Sequence, residues 1–137
     1  MPHVAGGLTA IVVLSLCGCA PVSQGSDFRV ATAPAGSAGM MFGLASGELN
    51  GRANPDGTAC FWLGEDPGGV ALFWPHGYSA RGNPLSVVDD FGRIAAVTGQ
   101  HVNVGGGRLP DSVHSILGCA SFDRFWAVGN IVPSATA

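Results

Sequence analysis

"NPDGTACFWLGEDPGGVALFWPHG", residues 54–77, holds two short apolar runs separated and closed by turn residues. Pro55 and Gly57 stand at favoured places of a β-turn, and the next run, "TACFWLG" (58–64), is too short and too aromatic for a helix. "EDPGG" (65–69) turns the chain again. "VALFW" (70–74) returns and is stopped by Pro75 and Gly77. Two strands and their turns are therefore predicted, and the same punctuation continues on both sides. Strands are expected at 40–51, 84–89, 93–99, 100–106 and 125–132, with a tight turn at "DDFGR" (89–93). In the 100–106 stretch His101, Val102, Asn103 and Val104 alternate with the period of a half-buried strand.

One stretch breaks the series. "PDSVHSILG" (110–118) has Pro and Asp in front, Val113, Ile116 and Leu117 at helical spacing, and Gly118 behind, which predicts a short helix. The fold class expected is all-β. About six to seven short strands, with one short helix plugging an end, would form a small closed or partly open barrel, OB-like or SH3-like. The expected core is Phe42, Phe61, Trp62, Leu72, Phe73, Val87, Ile94, Val97, Val102, Val104, Trp126 and Val128.

Composition narrows the function. The chain has 137 residues, room for one domain, and 22 glycines with 47% apolar residues suit a turn-rich globular unit. Lysine is absent, and the net charge is −3, so no basic footprint invites nucleic acid or anionic lipid.

The amino-terminal end carries a second message. Val4 to Leu16 is uncharged and nearly all apolar, with only Thr9 and Ser15 as mild polar breaks; at about 13 residues it is too short to span a bilayer and has the length of a secretory signal core. The run ends in Leu16-Cys17-Gly18-Cys19. This resembles the bacterial lipobox, with Leu three residues before the modified cysteine and a small residue just before it. Counting from Cys19 satisfies both positions; counting from Cys17 puts Leu16 where a small residue belongs. Residues 1–18 are thus expected to be a lipoprotein signal peptide and Cys19 the lipidation site. Residues 19–39, rich in Ala, Ser, Gly and Pro, read as a flexible tether, 40–133 as the β domain and 134–137 as a tail. This places the domain on the extracytoplasmic face of the cell membrane, or in an envelope layer beyond it, lipid-anchored.

Beyond the signal and the lipidation candidate Cys19 only Cys60 and Cys119 remain, and an exported chain with two free cysteines is expected to pair them as a disulfide. The rival is a metal site. His76, His101 and His114 stand in no CxxC, HxxxH or HExxH spacing, so no metal ligand is assigned and no cofactor expected.

Four blocks, "GELNGRANPDGTACFWL", "ALFWPHGYSARG", "VVDDFGRIAAVTGQHVNVGGG" and "CASFDRFWAVGNIV", together resemble an uncharacterised family of small exported bacterial domains over about residues 47–132. The resemblance implies an exported β domain with paired cysteines and implies no reaction.

Catalytic templates find little purchase. "GYSAR" (77–81) has Arg81 where a nucleophile elbow needs its second glycine. Glu65-Asp66 and Asp89-Asp90 lie in turns, and "VGGGR" (104–108) lacks the lysine of a phosphate loop. No catalytic residue is assigned. The most suggestive place is "FWPHGYSARG" (73–82), where Trp74, His76, Tyr78 and Arg81 share one loop, the composition of a ligand-binding surface. The competing reading puts Trp74 in the core. The function expected is a membrane-anchored envelope lipoprotein, a non-enzymatic binding or structural module whose partner is an envelope protein or small molecule. The alternatives are a small-ligand or metal carrier using the Trp74–Arg81 loop, and an envelope hydrolase whose site is assembled only by the fold.

Overall fold

The computed structural model describes residues 27–34, 43–64 and 68–133. Within them the chain is all-β. The strands are β1 (Asp27–Arg29), β2 (Gly43–Ala53), β3 (Ala59–Leu63), β4 (Val70–Phe73), β5 (Ser79–Arg81), β6 (Ser86–Val88), β7 (Ile94–Val97), β8 (His101–Arg108) and β9 (Phe125–Pro133). A closed barrel runs in the order β2-β3-β4-β9-β8, and β8 pairs back to β2. The β4–β9 pair is parallel and the other barrel pairs are antiparallel. This Greek-key order is the OB-like of the two expected barrels.

Strand β3 explains why its sequence is apolar without interruption. Ala59, Phe61 and Leu63 face the barrel interior, while Cys60 and Trp62 face a second cluster outside it. A strand buried on both faces has no position for a polar side chain. Strand β8 has one face in the core, and its alternation follows: Val102 and Val104 are buried, His101 is exposed and Asn103 half-buried. A bulge at Gly105/Gly106 shifts the β8–β9 register. Gly106 has φ +152, and a Cβ there would lie 1.8 Å from the Ala127 carbonyl oxygen, so glycine is required.

Parallel strands cannot be joined by a tight turn. Between β4 and β8 the chain makes the β5-β6-β7 meander, which joins β1 in a four-stranded sheet ordered β1-β5-β6-β7. One face of this sheet brings Phe28, Ala80, Val87 and Ala96 into register and into the main core. The sheet caps the barrel mouth beside Trp74. The amino-terminal segment straps it there: Arg29 N–H donates to the Gly57 carbonyl (3.0 Å), Trp74 N–H to Ala31 (2.8 Å), and Ala33 N–H to Trp74 (2.8 Å).

Several expectations need correction. The tether was expected to reach residue 39, yet Asp27–Pro34 is part of the folded unit, because Asp27–Arg29 completes the cap sheet. The helix expected at 110–118 is absent. Residues there form turns, with Val113 N–H donating to Pro110 (2.9 Å) and Cys119 N–H to Ile116 (3.1 Å). A helix this short has little stability of its own, and the Cys119 crosslink with the packing of Val113 and Ile116 sets the path instead. One end of the barrel is closed by the cap sheet instead. Ile94, expected in the core, is 59% exposed: Val87 pairs with Ala96 but Val88 with Ile94, and this bulge breaks the alternation, so Ile94 does not share the inward face of Ala96. Phe73, Val97 and Trp126 are half-buried, and Phe42 lies outside the described residues. The core also takes Leu49, Trp74 and Val30.

Cys60 and Cys119 form a disulfide across 59 residues, both ends buried. Loop-closure entropy for that span is about 4 kcal/mol. Replacing both cysteines with alanine should lower the unfolding free energy of the domain by about that amount in a denaturant titration; a loss below about 1 kcal/mol would mean that burial alone holds the crosslinked loop.

Candidate functional site

The loop 73–82 does not assemble as a recognition surface. Trp74 is 1% exposed. Its ring meets Phe61 edge-on at 5.9 Å and 89°, and lies along Tyr78 at 6.0 Å and 14°. It is a core residue, which removes the central member of the expected binding group. His76 is exposed on the turn that Tyr78 N–H closes onto the Pro75 carbonyl (3.3 Å). Arg81 is exposed and reaches along the cap sheet to donate from Nη2 to the Gly92 carbonyl (3.1 Å). The four side chains thus diverge between core, turn and sheet surface.

What the fold does bring together is Tyr78 and the 89–93 turn. A Cβ on Gly77 would stand 2.7 Å from Asp90 Cβ, so the two turns touch. Burial raises the Tyr78 phenol above its ordinary value, and the charges of Asp89 and Asp90 add to the rise. Asp89 is committed to its own turn. Its Oδ1 accepts from Phe91 N–H (2.9 Å) and Arg93 N–H (2.9 Å), and Arg93 Nε stands 3.6 Å from Oδ2. The hydrogen bond from Arg93 N–H is the chief reason its carboxyl is held below the usual range. Asp89-Asp90 is therefore a turn cap and its neighbour, with the structural role expected of an Asx turn. Asp56 does the same in the 54–58 turn, held low first by the Thr58 hydroxyl (2.6 Å) and then by its N–H (3.0 Å). Glu65 and Asp66 lie outside the described residues.

In an OB-like barrel the outer face of the second and third strands, with the loops beside it, is a common ligand platform. Here that face is the outside of β3 and β4, and the 109–124 connection lies on it. Phe122 packs on Trp62 with ring centroids 5.2 Å apart, and Phe125, Leu109, Val113 and Ile116 fill around Ala71 and the disulfide. The two flanking loops are tied to each other. Asn54 Nδ2 donates to the Gly118 carbonyl (2.9 Å) and to Thr58 Oγ1 (2.9 Å). No signal in the sequence marks Asn54 for this work beyond its place in a turn.

On the loop's far side a cleft of about 100 Å³ is lined by Arg108, Asp111, His114, Asp123 and Arg124 among others. Small-molecule sites usually span about 300–1,000 Å³. Arg124 is already engaged, donating to the Gly68 carbonyl. His101 is exposed at the start of β8 and His114 at the cleft. Among the described residues, no three His, Cys, Asp or Glu side chains group as metal ligands. Cys19 lies outside the described residues. Comparison with known proteins finds no matching family model, no matching curated protein and no matching solved structure.

Tyr78 is the chain's single tyrosine, so tyrosinate absorbance reads it alone. Its titration midpoint in the native protein should lie above about 10, fall to the ordinary value in denaturant, and drop part of the way in Asp90→Asn. The sign for stability follows. Below about pH 10 its contribution is complete, and it is lost as pH rises through the folded-state midpoint, because the unfolded chain deprotonates first. A native midpoint at or below 10 would contradict the packing described.

Proposed function

We propose that the chain is a membrane-anchored envelope lipoprotein whose β domain serves outside the cytoplasm as a non-enzymatic binding or structural module. The observation that carries this reading is the Cys60–Cys119 crosslink. Disulfides form and persist in oxidising compartments. It agrees with an apolar leader ending in Leu16-Cys17-Gly18-Cys19, whose last cysteine is in position to receive a diacylglyceryl thioether. Each buried acyl methylene contributes about 0.8 kcal/mol, so two or three chains attach the protein effectively permanently.

The carrier alternative drew on the Trp74–Arg81 loop or the histidines, and the loop loses its central member because Trp74 is in the core. Among the described residues no hydrogen bond joins a histidine to a serine and a carboxylate, so the hydrolase alternative gains no support. A module that presents its outer surfaces to the envelope is the reading that the barrel, its covered face and its capped mouth support best.

Intact-mass analysis and non-reducing peptide mapping of the membrane-extracted protein test it. The expected product begins at Cys19, carries a diacylglyceryl group there and yields a Cys60–Cys119 linked peptide. Cys19→Ala should prevent the lipid from attaching. An unmodified Cys19 in the native product would overturn the proposal.

A further inference from the structure

The cover over the outer face of β3 has one weak place. In the segment 120–124 Phe122 is buried, and Ala120, Ser121, Asp123 and Arg124 on either side of it are exposed. The segment runs between two fixed points. Cys119 is bonded to Cys60, and the Arg124 carbonyl accepts from Ala71 N–H (2.9 Å) where β9 begins. Among the described residues, 120–123 make a single hydrogen bond, from Phe122 N–H to the Cys119 carbonyl (3.3 Å). Phe122 is thus a one-residue plug, able to lift while the disulfide and the β4–β9 pairing stay in place.

The surface under the plug carries polar groups that the plug does not use. Register sets Asn50, Trp62 and Ala71 in one row across β2, β3 and β4. Trp62 is the largest side chain of that row, and the Arg52 guanidinium stands 5.4 Å from its ring centroid. Phe122 meets the indole tilted by 40°. The Trp62 Nε1–H is buried and has no acceptor, and such an unmade bond is costly. The indoles of Trp74 and Trp126 share that condition. Trp74, however, is closed inside the barrel and Trp126 lies on a paired strand, so of the three only Trp62 lies under chain that no strand pairing holds. Beside it Asn50 Nδ2 donates to the Gly64 carbonyl (2.7 Å) and to the Glu48 carbonyl (3.3 Å), which leaves Asn50 Oδ1 as an acceptor.

This chemistry selects a ligand. An indole face with a donor at its edge and an amide acceptor alongside suits a ring that is apolar on its face and hydroxylated at its rim. A β-linked pyranose with equatorial hydroxyls has that form. A nucleic-acid strand would bring phosphates to a chain with no lysine and a net charge of −3. OB-like barrels use the corresponding face for oligosaccharides. We infer that Phe122 is an autoinhibitory plug on a carbohydrate-binding face, and that a β-linked glycan replaces its ring on Trp62 with a rim oxygen accepting from Nε1–H. The inference rests on the reading of the domain as a binding module and is indifferent to the anchor at Cys19. Closed and open states compete, so the apparent dissociation constant is the intrinsic one divided by the open fraction.

The test titrates the full chain, held in phosphatidylcholine nanodiscs, with cellotetraose and chitotetraose by calorimetry. Phe122→Ala should bind more tightly than the parent chain, by roughly tenfold or more, and Trp62→Ala should bind neither glycan. A Phe122 that only fills the core would give no gain in affinity when truncated. Equal or weaker binding by Phe122→Ala, with the Cys60–Cys119 bond intact and native circular dichroism, overturns the inference, as does absence of binding by both proteins. Should Phe122→Ala fail to fold, the parent chain in excess cellotetraose decides. Its nuclear Overhauser contact between Trp62 and Phe122 should vanish, and persistence of that contact overturns the plug. Uptake of an aromatic peptide but neither glycan by Phe122→Ala overturns the inference in favour of a protein ligand. The intact mass of the same sample reads Cys19 separately, so loss of the anchor and loss of glycan binding are distinct results.

Discussion

Phe61 and Trp62 are neighbours in the chain and point into different cores. Phe61 meets Trp74 inside the barrel, and Trp62 meets Phe122 outside it. Strand β3 is consequently the common wall of two apolar clusters, and most of the molecule is arranged to keep both closed. The inner cluster needs a barrel that shuts, and β8 supplies this by pairing with β2 and β9. The outer cluster needs a cover that no strand provides. The 109–124 connection supplies it, held by the disulfide and by the bond from Asn54 to Gly118. A small domain has little apolar surface to bury, and a second core gained from one strand raises the fraction that is.

The parallel β4–β9 pair is the second constraint. The chain leaves the barrel after β4 and re-enters as β8 before β9 comes to lie parallel to β4, and the excursion is used as a lid. The meander alone would leave an edge open at β5. Strand β1 covers that edge, and the segment after it clamps Trp74 from the outside. An element upstream of the barrel is thereby built into it.

Much of this was legible in the sequence where local chemistry sets the outcome. Pro55, Gly57, Pro75 and Gly77 marked the turns around β3 and β4, and the alternation from His101 to Val104 marked β8. The cysteine count marked the disulfide. What was missed depends on distant partners. Strands β1 and β5, "DFR" and "SAR", are three residues each with no apolar alternation, and they exist because they pair with one another. The helical spacing of Val113, Ile116 and Leu117 was real, but the covalent pin at Cys119 overrode it. Trp74 in a loop with His, Tyr and Arg fits a binding surface and a barrel plug equally well; only the strap at Ala31 and Ala33 decides for the plug. Phe91 belonged to a stretch read correctly as a turn, and nothing local told that its ring would be left outside.

The account depends on the outer face of β3 and β4 being occupied by the chain's own loop in solution. Nuclear Overhauser contacts to the Trp62 indole in the oxidised mature protein test this directly. The account predicts strong contacts to the Phe122 ring and negligible broadening of the Trp62 side-chain signals by a soluble nitroxide. An indole without contacts to Phe122, and broadened as readily as an exposed residue, would mean that the face is open and that the two-core description is wrong.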